Sequence, residues 1–349
     1  MRTTWKRILS GLAALAVVVP GSALAEAARD GQVSCGVWIV YWDAETGIEE
    51  AAALDPMPDR LIAFEALFDP EEYVVIEQEA QEMLQKIQAA FPAERIWLSV
   101  VNDLAKKEGG YSNKDRQLLW DLLATPESRG SHIRELVSLA EEWQIKGIEI
   151  DYENIHGDYE LWQKFTAFIQ ELYSALEARG IALRVCLEWD SILYTELPVG
   201  PEYSIMCYSL YGYHSGPGPK ADRGFLEKVA KLYQGRKDCG MALATGGYDW
   251  KGNRAEREVS EKEAEEIFRS RNIRPGRDLE SGAMRGTYLQ DGEEHTVWYA
   301  DAVTLRGWMK ILQEYGFEKF DFFRLGGNRT EEWNQQILDM QKTEGGAGE

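Results

Sequence analysis

Three carboxylates stand at alternate positions in the segment Gly147-Ile148-Glu149-Ile150-Asp151-Tyr152-Glu153-Asn154. A β-strand sends alternate side chains to opposite faces, so the three acids would share one face and the apolar residues the other. Like charges crowded on a buried face raise the pKa of at least one carboxyl group, which a general acid working near neutral pH requires. The segment therefore predicts an acid–base site, or else an edge strand with one solvated face.

The rest of the chain alternates short apolar runs with longer amphipathic segments. Eight runs have the composition of buried strands: Val37–Tyr41, Leu61–Phe64, Ile96–Val101, Gly147–Asp151, Leu183–Leu187, Ser204–Tyr208, Met241–Ala244 and Lys319–Phe323. Six segments have helical periodicity: Val74–Phe91, Lys114–Leu123, His132–Trp143, Tyr159–Arg179, Phe225–Tyr233 and Asp301–Tyr315. This alternation predicts an α/β fold, a (β/α)8 barrel. An open doubly wound sheet would alternate in the same way, but no GxGxxG or GxxxxGK loop follows a strand, which disfavours it.

The interval 251–297, between the seventh strand and the next and last predicted helix, is long. It contains a charged helical segment, Ser260–Arg271, which begins at a serine suited to an N-cap. Two strand-like stretches follow, Arg285–Leu289 and His295–Tyr299, and an Asp-Gly turn joins them. We therefore predict a small α+β insertion that covers one wall of the site.

Residues 1–25 have the basic start, the apolar stretch and the Ala-Leu-Ala cleavage site of a secretory signal peptide. We predict an exported protein, secreted or held in the cell envelope, whose barrel occupies residues 26–341. A Gly-rich, disordered tail would follow at 342–349. The apolar stretch of the leader is too short for a comfortable membrane span, so no membrane contact is expected after cleavage.

The charge of the chain restricts its partners. It has 59 acidic and 38 basic residues and a net charge of −21, which becomes −24 when the three basic residues of the leader are removed. Such a charge disfavours nucleic acid and anionic membranes and slightly favours a neutral substrate. The four cysteines have no CxxC spacing, so we expect no zinc site. We expect the cysteines to be small buried hydrophobic side chains, although export would permit disulfides. We expect no metal or other cofactor and a monomer.

Polar and aromatic residues follow the predicted strands at their C-terminal ends, where barrels carry their active sites. The chain has 12 tryptophans, and exposed indole rings commonly stack on the apolar faces of sugars, although core packing is the simpler role for any one of them. We predict eight substrate-binding residues in this region: Glu149, Trp42, Met206, Tyr211, Tyr248, Asp249, Trp250 and Phe323.

These motifs, in this order, resemble those of glycoside hydrolase family 18, which includes chitinases, endo-β-N-acetylglucosaminidases and spore-cortex peptidoglycan hydrolases. The family's D-x-x-D-x-D-x-E pattern falls on residues 146–153, and its M-x-Y-D pattern falls on residues 206–209. Three further segments, 248–250, 295–302 and 323–327, resemble segments of bacterial members. The resemblance covers nearly the whole mature chain.

The resemblance implies substrate-assisted retaining catalysis, without a protein nucleophile. Glu153 would protonate the leaving glycosidic oxygen, while the substrate's own 2-acetamido oxygen attacks the anomeric carbon. Asp151 would hold the acetamido N–H and stabilise the positive charge, and Tyr208 would position the acetamido oxygen. Glu153 would then act as the base for water. The implied substrate is a glycan that contains β-linked N-acetylglucosamine, such as peptidoglycan, chitin or an N-glycan.

Four positions depart from the family pattern: Lys146, Glu149, Ser209 and Phe323. Ser209 removes a carboxylate near the acid, and Phe323 replaces the tryptophan beneath the reacting sugar. These changes motivate a second hypothesis, a lectin-like relative that binds a glycan but has weak or no turnover. A third hypothesis is a barrel glycosidase with two protein carboxylates, in which Asp249 or Glu188 is the partner.

Overall fold

The computed structural model describes residues 33–338, so the predicted leader and the predicted tail lie outside the described residues. The strands are β1 (Ser34–Val40), β2 (Arg60–Phe68), β3 (Val74–Val75), β4 (Ile96–Ala105), β5 (Tyr111–Ser112), β6 (Gly147–Asp151), β7 (Ala182–Glu188), β8 (Glu202–Met206), β9 (Cys239–Ala244), β10 (Gly246–Lys251), β11 (Arg254–Val259), β12 (Gly276–Arg277), β13 (Met284–Gln290), β14 (Glu293–Ala300) and β15 (Lys319–Phe323). The α-helices are α1 (Ala44–Ala53), α2 (Gln78–Ala90), α3 (Arg116–Leu123), α4 (Pro126–Glu142), α5 (Tyr159–Glu177), α6 (Arg223–Tyr233), α7 (Glu261–Ser270), α8 (Ala302–Gln313) and α9 (Thr330–Gln336).

Eight parallel strands form a closed barrel in the order β1, β2, β4, β6, β7, β8, β9, β15. The barrel closes where β15 pairs with β1, with Ser34 opposite Lys319. Because closure leaves no open edge between these eight strands, the doubly wound alternative is wrong. Each of the eight strands overlaps one of the predicted apolar runs, and the predicted (β/α)8 barrel is confirmed.

The helices bury their apolar faces against the outside of the barrel. In α5 the apolar residues recur every three or four positions, and Leu161, Phe165 and Leu172 are fully buried. Asp158 begins this helix by accepting a hydrogen bond from the backbone N–H of Leu161. Full burial of each such side chain contributes about 1.5–3 kcal/mol, so the helix is stabilised mainly by its packing.

Several helix boundaries differ from the prediction for local reasons. Helix α4 begins at Pro126, six residues before the predicted start at His132, because Thr125 and Ser128 form a capping box. The predicted helix Val74–Phe91 begins only at Gln78, since its first residues pair with β2 as β3. Helices α1 and α9 were not predicted, and α9 follows β15, so α8 is not the last helix.

The insertion lies where it was predicted, between β9 and α8. It is a five-stranded antiparallel sheet in the order β11, β10, β14, β13, β12, and α7 packs on one face of it. Ser260 is the N-cap of α7, as predicted, and it forms a capping box with Glu263. The sheet begins at Gly246 rather than near 251, because β10 and β11 form an additional hairpin there. The sequence analysis did not predict this hairpin.

Within residues 33–338, no helix is long and apolar enough to span a bilayer. The same residues contain no cluster of three or more histidines, cysteines or acids arranged to hold a metal ion. The four cysteines are buried as free thiols: Cys35, Cys186, Cys207 and Cys239.

Candidate active site

Strand β6 directs its carboxylates into the barrel. Glu149 is fully buried, Asp151 is 8% exposed, and Glu153, just beyond the strand, has a side chain that is 27% exposed. The three acids therefore form a row that runs from the barrel interior to its C-terminal mouth. Because β6 pairs with β4 on one side and β7 on the other, the edge-strand interpretation is wrong.

A buried charge cluster holds the innermost acid. Trp38 Nε1 donates a hydrogen bond of 2.7 Å to Glu149 Oε1, and Arg184 Nε lies 3.1 Å from Oε2. Burial raises the pKa of Glu149, while Arg184 and Trp38 oppose that rise. Arg184 also binds both carboxylate oxygens of Asp321, at 2.9 and 2.7 Å. Glu149 thus lies beneath the cleft, and its predicted contact with the substrate is wrong because it has no exposed surface.

Asp151 occupies the middle of this row of acids. Burial, together with the nearby negative charges of Glu153 and Glu149, raises its pKa to about 7, although Lys114 opposes the rise. One carboxylate oxygen, Oδ2, lies 3.3 Å from Lys114 Nζ. The other, Oδ1, is buried and has no hydrogen-bond partner in the described part of the chain. A buried acceptor without a partner is costly, so Oδ1 is suited to accept a hydrogen bond from a ligand.

Lys114 was missed as a site residue by the sequence analysis. It was predicted as the first residue of a helix, but it lies in the loop before α3 with a φ of 50°. Its backbone N–H donates to Asp103 Oδ1 at 2.8 Å, and its carbonyl accepts from Asn154 Nδ2 at 3.1 Å. These bonds hold the loop so that Lys114 Nζ lies 3.0 Å from Glu153 Oε1.

Two further residues at the mouth were also missed. Asn102 holds the backbone of Glu153 on both sides, accepting from its N–H at 2.9 Å and donating to its carbonyl at 3.2 Å. Glu65, on β2, is buried, and burial raises its pKa to about 8. Each of the two residues directly follows a predicted apolar run. This position, at the C-terminal end of a predicted strand, is the sequence signal that indicates a site residue.

Aromatic rings line the mouth beside the acids. The ring of Phe323 is nearly parallel to that of Tyr208, with centroids 6.3 Å apart. It also meets Trp38 at 6.0 Å and Phe64 at 5.7 Å. Trp42 lies 5.9 Å from Phe64 and is 52% exposed, so its ring is accessible. These rings form an apolar surface of the kind on which sugar rings stack.

The hydroxyl of Tyr208 stays protonated across ordinary pH. Burial raises its pKa well above the usual value, and the negative charges of Asp151 and Glu153 add to the rise. Tyr208 can therefore donate a hydrogen bond at the mouth. Met206, by contrast, is buried at the end of β8, and Ser209 is exposed.

Two predicted binding residues face away from the mouth. Asp249 accepts a 2.6 Å hydrogen bond from the hydroxyl of Tyr288, and its other oxygen lies 3.0 Å from His295 Nδ1. These partners lie inside the insertion, so Asp249 is wrong both as a substrate ligand and as a second catalytic carboxylate. Trp250 is fully buried and cannot stack on a sugar.

The other candidates lie on the rim. Tyr248 is half-buried, its ring 5.1 Å from that of Tyr213. Tyr211 packs against Gly218, where a Cβ would lie 2.3 Å from the ring. Glu188 ends β7, and burial raises its pKa, with Glu153 and Asp190 adding to the rise. Glu188 therefore stays open as a second carboxylate.

The fold is shared with known glycan hydrolases. The structure matches the spore cortex-lytic enzyme SleL of Bacillus cereus with a TM-score of 0.73 at 17% identity, over 90% of this chain and 75% of that one. It matches a chitinase from Chromobacterium violaceum with a TM-score of 0.75 at 17% identity, over 89% and 100%. A class V chitinase from Nicotiana tobaccum, solved in complex with NAG4, gives 0.68 at 14% identity, over 87% and 98%.

Similarity in sequence is limited. No family model matches the chain. One curated relative, "Putative sporulation-specific glycosylase YdhD" of Bacillus subtilis, is 24% identical over 269 residues, which are 70% of this chain. The match spans 62% of that relative, less than two thirds of its length. Together the relatives show a chitinase-type barrel and agree with the predicted resemblance to glycoside hydrolase family 18.

Proposed function

We propose that the mature chain is an exported glycosidase of glycoside hydrolase family 18 that cleaves β-linked glycans containing N-acetylglucosamine, of the peptidoglycan or chitin type. One observation carries the proposal: a buried Asp151 with an unpartnered oxygen lies next to Glu153 at the barrel mouth, beside a phenol and a stacking surface. This set of groups matches the needs of substrate-assisted cleavage, in which the substrate supplies its own nucleophile.

In the proposed reaction, Glu153 gives its proton to the leaving glycosidic oxygen as the C–O bond breaks. The acetamido oxygen forms a new bond to the anomeric carbon and gives an oxazolinium ion. Asp151 Oδ1 accepts the acetamido N–H, and its negative charge stabilises the cation. The hydroxyl of Tyr208 donates to the acetamido oxygen and orients it. Glu153 then takes a proton from the water molecule that attacks the anomeric carbon and opens the oxazolinium ring.

Export is proposed from residues 1–25 alone, and it has a direct test. Expression of the full chain in a secreting host, followed by N-terminal sequencing of the medium and envelope fractions, should return a mature protein that begins at Glu26. A full-length chain retained in the cytoplasm would contradict the proposal.

A second candidate function, a lectin-like binder, is favoured by one observation. Lys114 Nζ lies within ion-pair distance of both Glu153 and Asp151. A general acid has to be free to reach the glycosidic oxygen, whereas a cation engages this carboxylate. A protein that only binds glycans could keep this pairing permanently, and the exposed Ser209 and the smaller ring of Phe323 agree with such a role.

The test is turnover of the purified mature protein beside Glu153→Gln. The substrates are chitin oligomers, peptidoglycan and an N-glycosylated protein, with products identified by mass spectrometry. We expect the wild type to cleave one substrate and Glu153→Gln to cleave it more slowly by a factor of about 10²–10⁴. Glu188→Gln is the matched variant, since Glu188 is a carboxylate on the neighbouring strand.

The outcomes separate the three hypotheses. An equal loss in both variants would favour a two-carboxylate mechanism, and so would full activity on a substrate whose acetamido groups have been removed. If the wild type cleaves nothing but binds one glycan, the enzyme proposal is wrong and the lectin-like function takes its place.

A further inference from the structure

The backbone of Glu153 has left the barrel sheet. Strand β6 ends at Asp151, and the last residue pair of its ladder with β4 joins Val101 to Asp151. The N–H and the carbonyl of Glu153 therefore have no partner in that ladder, and backbone groups away from water need another one. The side chain of Asn102, the next residue of β4, takes the place of the missing ladder partner.

Asn102 binds Glu153 as another peptide group would. Its Oδ1 accepts a 2.9 Å hydrogen bond from the backbone N–H of Glu153, and its Nδ2 donates at 3.2 Å to the carbonyl of the same residue. The reverse orientation of the amide would turn its oxygen towards carbonyl oxygens, so only one orientation fits. Asn102 is fully buried, so these hydrogen bonds are shielded from water.

The same residue also holds the loop that carries Lys114. Nδ2 of Asn102 donates to the carbonyl of Asp115 at 3.2 Å, and the carbonyl of Asn102 accepts from the N–H of Asp115 at 2.8 Å. Asp115 is the N-cap of α3 and directly follows Lys114. One buried residue thus fixes the backbone on both sides of the ion pair between Lys114 and Glu153.

The carboxylate of Glu153 has little else to hold it. Its side chain is 27% exposed, and among the described residues it forms one ion pair, with Lys114 at 3.0 Å. The next residue, Asn154, has a left-handed φ of 64°, so the chain turns immediately after Glu153. Arg116 donates to the carbonyl of Asn154 at 2.6 Å, but this contact is exposed. The position of the carboxylate is therefore set mainly from its backbone, and Asn102 is the buried contact that fixes that backbone.

We infer that Asn102 is a positioning residue for the proposed reaction, because it sets the place of the Glu153 carboxyl group at the barrel mouth through the backbone. The inference rests on the proposed function, in which Glu153 must reach the glycosidic oxygen. Proton transfer requires the acid within hydrogen-bond distance of its target, so a displacement of about 1 Å can slow the reaction about 10²-fold. Because Asn102 is fully buried, it cannot touch the substrate, and substrate binding should depend on it much less.

The first measurement compares the kinetics of Asn102→Ala with those of the wild type. We expect kcat to fall by about 10–100-fold with KM nearly unchanged, because an interaction that serves the transition state alone is lost. Asn102→Asp has the same shape and keeps the acceptor but lacks the two N–H donors, so its kcat should lie between. This second variant keeps the test decisive if thermal melting shows that Asn102→Ala is not folded.

Asn334→Ala is the matched control. Asn334 also holds a backbone segment from two sides, donating to the carbonyl of Ala53 at 3.1 Å and accepting from the N–H of Asp55 at 3.1 Å. These partners lie where α1 ends and before β2 begins, at the opposite end of the barrel from the mouth. Asn334→Ala should therefore leave kcat and KM unchanged, even if its melting temperature falls.

Two further readouts separate positioning from general destabilisation. Amide hydrogen exchange of Glu153, followed by NMR, should be about tenfold faster in Asn102→Ala and unchanged in Asn334→Ala. In the Glu153→Gln background, Asn102→Ala should lower the remaining rate by less than about twofold, since residues that act as a unit have non-additive effects.

The results distinguish failure of this inference from failure of the glycosidase proposal. An unchanged kcat in folded Asn102→Ala, or an equal loss of rate in the Glu153→Gln background, would overturn the positioning role while the glycosidase stands. If the wild type cleaves nothing, the glycosidase proposal falls, and the exchange rate of the Glu153 amide decides. Faster exchange in Asn102→Ala would then support the placement of Glu153 by Asn102, and an unchanged rate would overturn it.

Discussion

The ammonium of Lys114 lies 3.0 Å from Oε1 of Glu153, the residue proposed as the general acid. The same nitrogen lies 3.3 Å from Oδ2 of Asp151. Burial works to lower the pKa of Lys114, but the two carboxylates outweigh it and hold the pKa well above the usual range. Lys114 is therefore charged, and it supports the anionic form of Asp151 that the proposed reaction needs.

Replacing Lys114 by methionine should move the pH dependence of activity. Lys114 is the charge that opposes the rise in the pKa of Asp151, which is about 7, so its loss should raise that pKa further. In the proposed reaction Asp151 acts as an anion, so activity should fall as the pH drops through its pKa. In Lys114→Met this fall should begin at a pH about 1 unit higher or more. The measurement is the pH profile of kcat/KM.

Two variants control this measurement. Lys114→Arg keeps a cation at the site and should leave the profile close to that of the wild type. Lys106→Met removes an exposed lysine from the turn between β4 and β5 and should not move the profile at all. An unchanged profile in Lys114→Met would show that the ion pair does not set the charge of Asp151.

Phe323 should contribute to substrate binding through its ring. Its face is nearly parallel to Tyr208, in a cluster that includes Trp38 and Phe64. Stacking of this kind contributes about 0.5–1.5 kcal/mol beyond buried area, so Phe323→Ala should raise KM about tenfold with a smaller change in kcat. Phe323→Trp should bind as well as the wild type or better. Equal KM in all three proteins would place the sugar elsewhere.

The barrel is predictable from the sequence because its strands are buried on both faces and therefore read as continuous apolar runs. Helix α1 is not predictable in this way, since its buried positions are Gly47, Glu50 and Ala51. Glu50 is buried because it accepts hydrogen bonds from the backbone N–H groups of Gly326 and Asn328. Only the folded chain supplies those partners. Strand β11 was missed for a related reason: most of its side chains are charged and exposed.

The site is only partly predictable. Alternation along β6 places Asp151 and Glu153 correctly, because it depends on strand geometry alone. Lys114 is 37 residues from Asp151 in sequence, and a left-handed loop residue directs it to the site, so no local pattern marks it. Asp249 follows a strand as an active-site acid would, but the insertion sheet turns it toward Tyr288 and His295.

The buried charge cluster beneath the site should be essential for stability. Asp321 is 1% exposed, and it binds Arg184 at 2.9 and 2.7 Å and Arg60 at 3.2 Å. Asp321→Asn would leave buried cations without their anion, and we expect a loss of about 3–5 kcal/mol in the free energy of unfolding. Asp238→Asn is the matched control, because its pair with Arg236 is partly exposed and should contribute less than about 1 kcal/mol.

The stability contribution of Asp321 should depend on pH. Although burial opposes it, Arg184 and Arg60 hold the pKa of Asp321 below its ordinary value of 3.8. A depressed carboxylate pKa stabilises the folded state above the unfolded pKa, and this contribution is lost as the pH falls through the folded pKa. The difference between wild type and Asp321→Asn in urea unfolding should therefore be constant from pH 5 to 8 and shrink below about pH 3.8. A difference that grows in acid would contradict the assigned charges.

Asp151 should show the opposite dependence, because its pKa is raised rather than lowered. A carboxyl group with a pKa of 3.8 unfolded and about 7 folded stabilises the protein fully below pH 3.8, and that contribution is lost as the pH rises through 7. Above pH 7 the folded protein carries a buried anion that the neutral amide of Asp151→Asn avoids. We therefore expect Asp151→Asn to unfold at higher urea than the wild type at pH 8, with the gap closing toward pH 4. Asp121→Asn, on the exposed side of α3, should show no gap. The opposite result, a less stable Asp151→Asn at pH 8, would mean that the ion pair between Asp151 and Lys114 outweighs the cost of burying the charge of Asp151. A carboxylate proposed to take part in the reaction would then also stabilise the folded site.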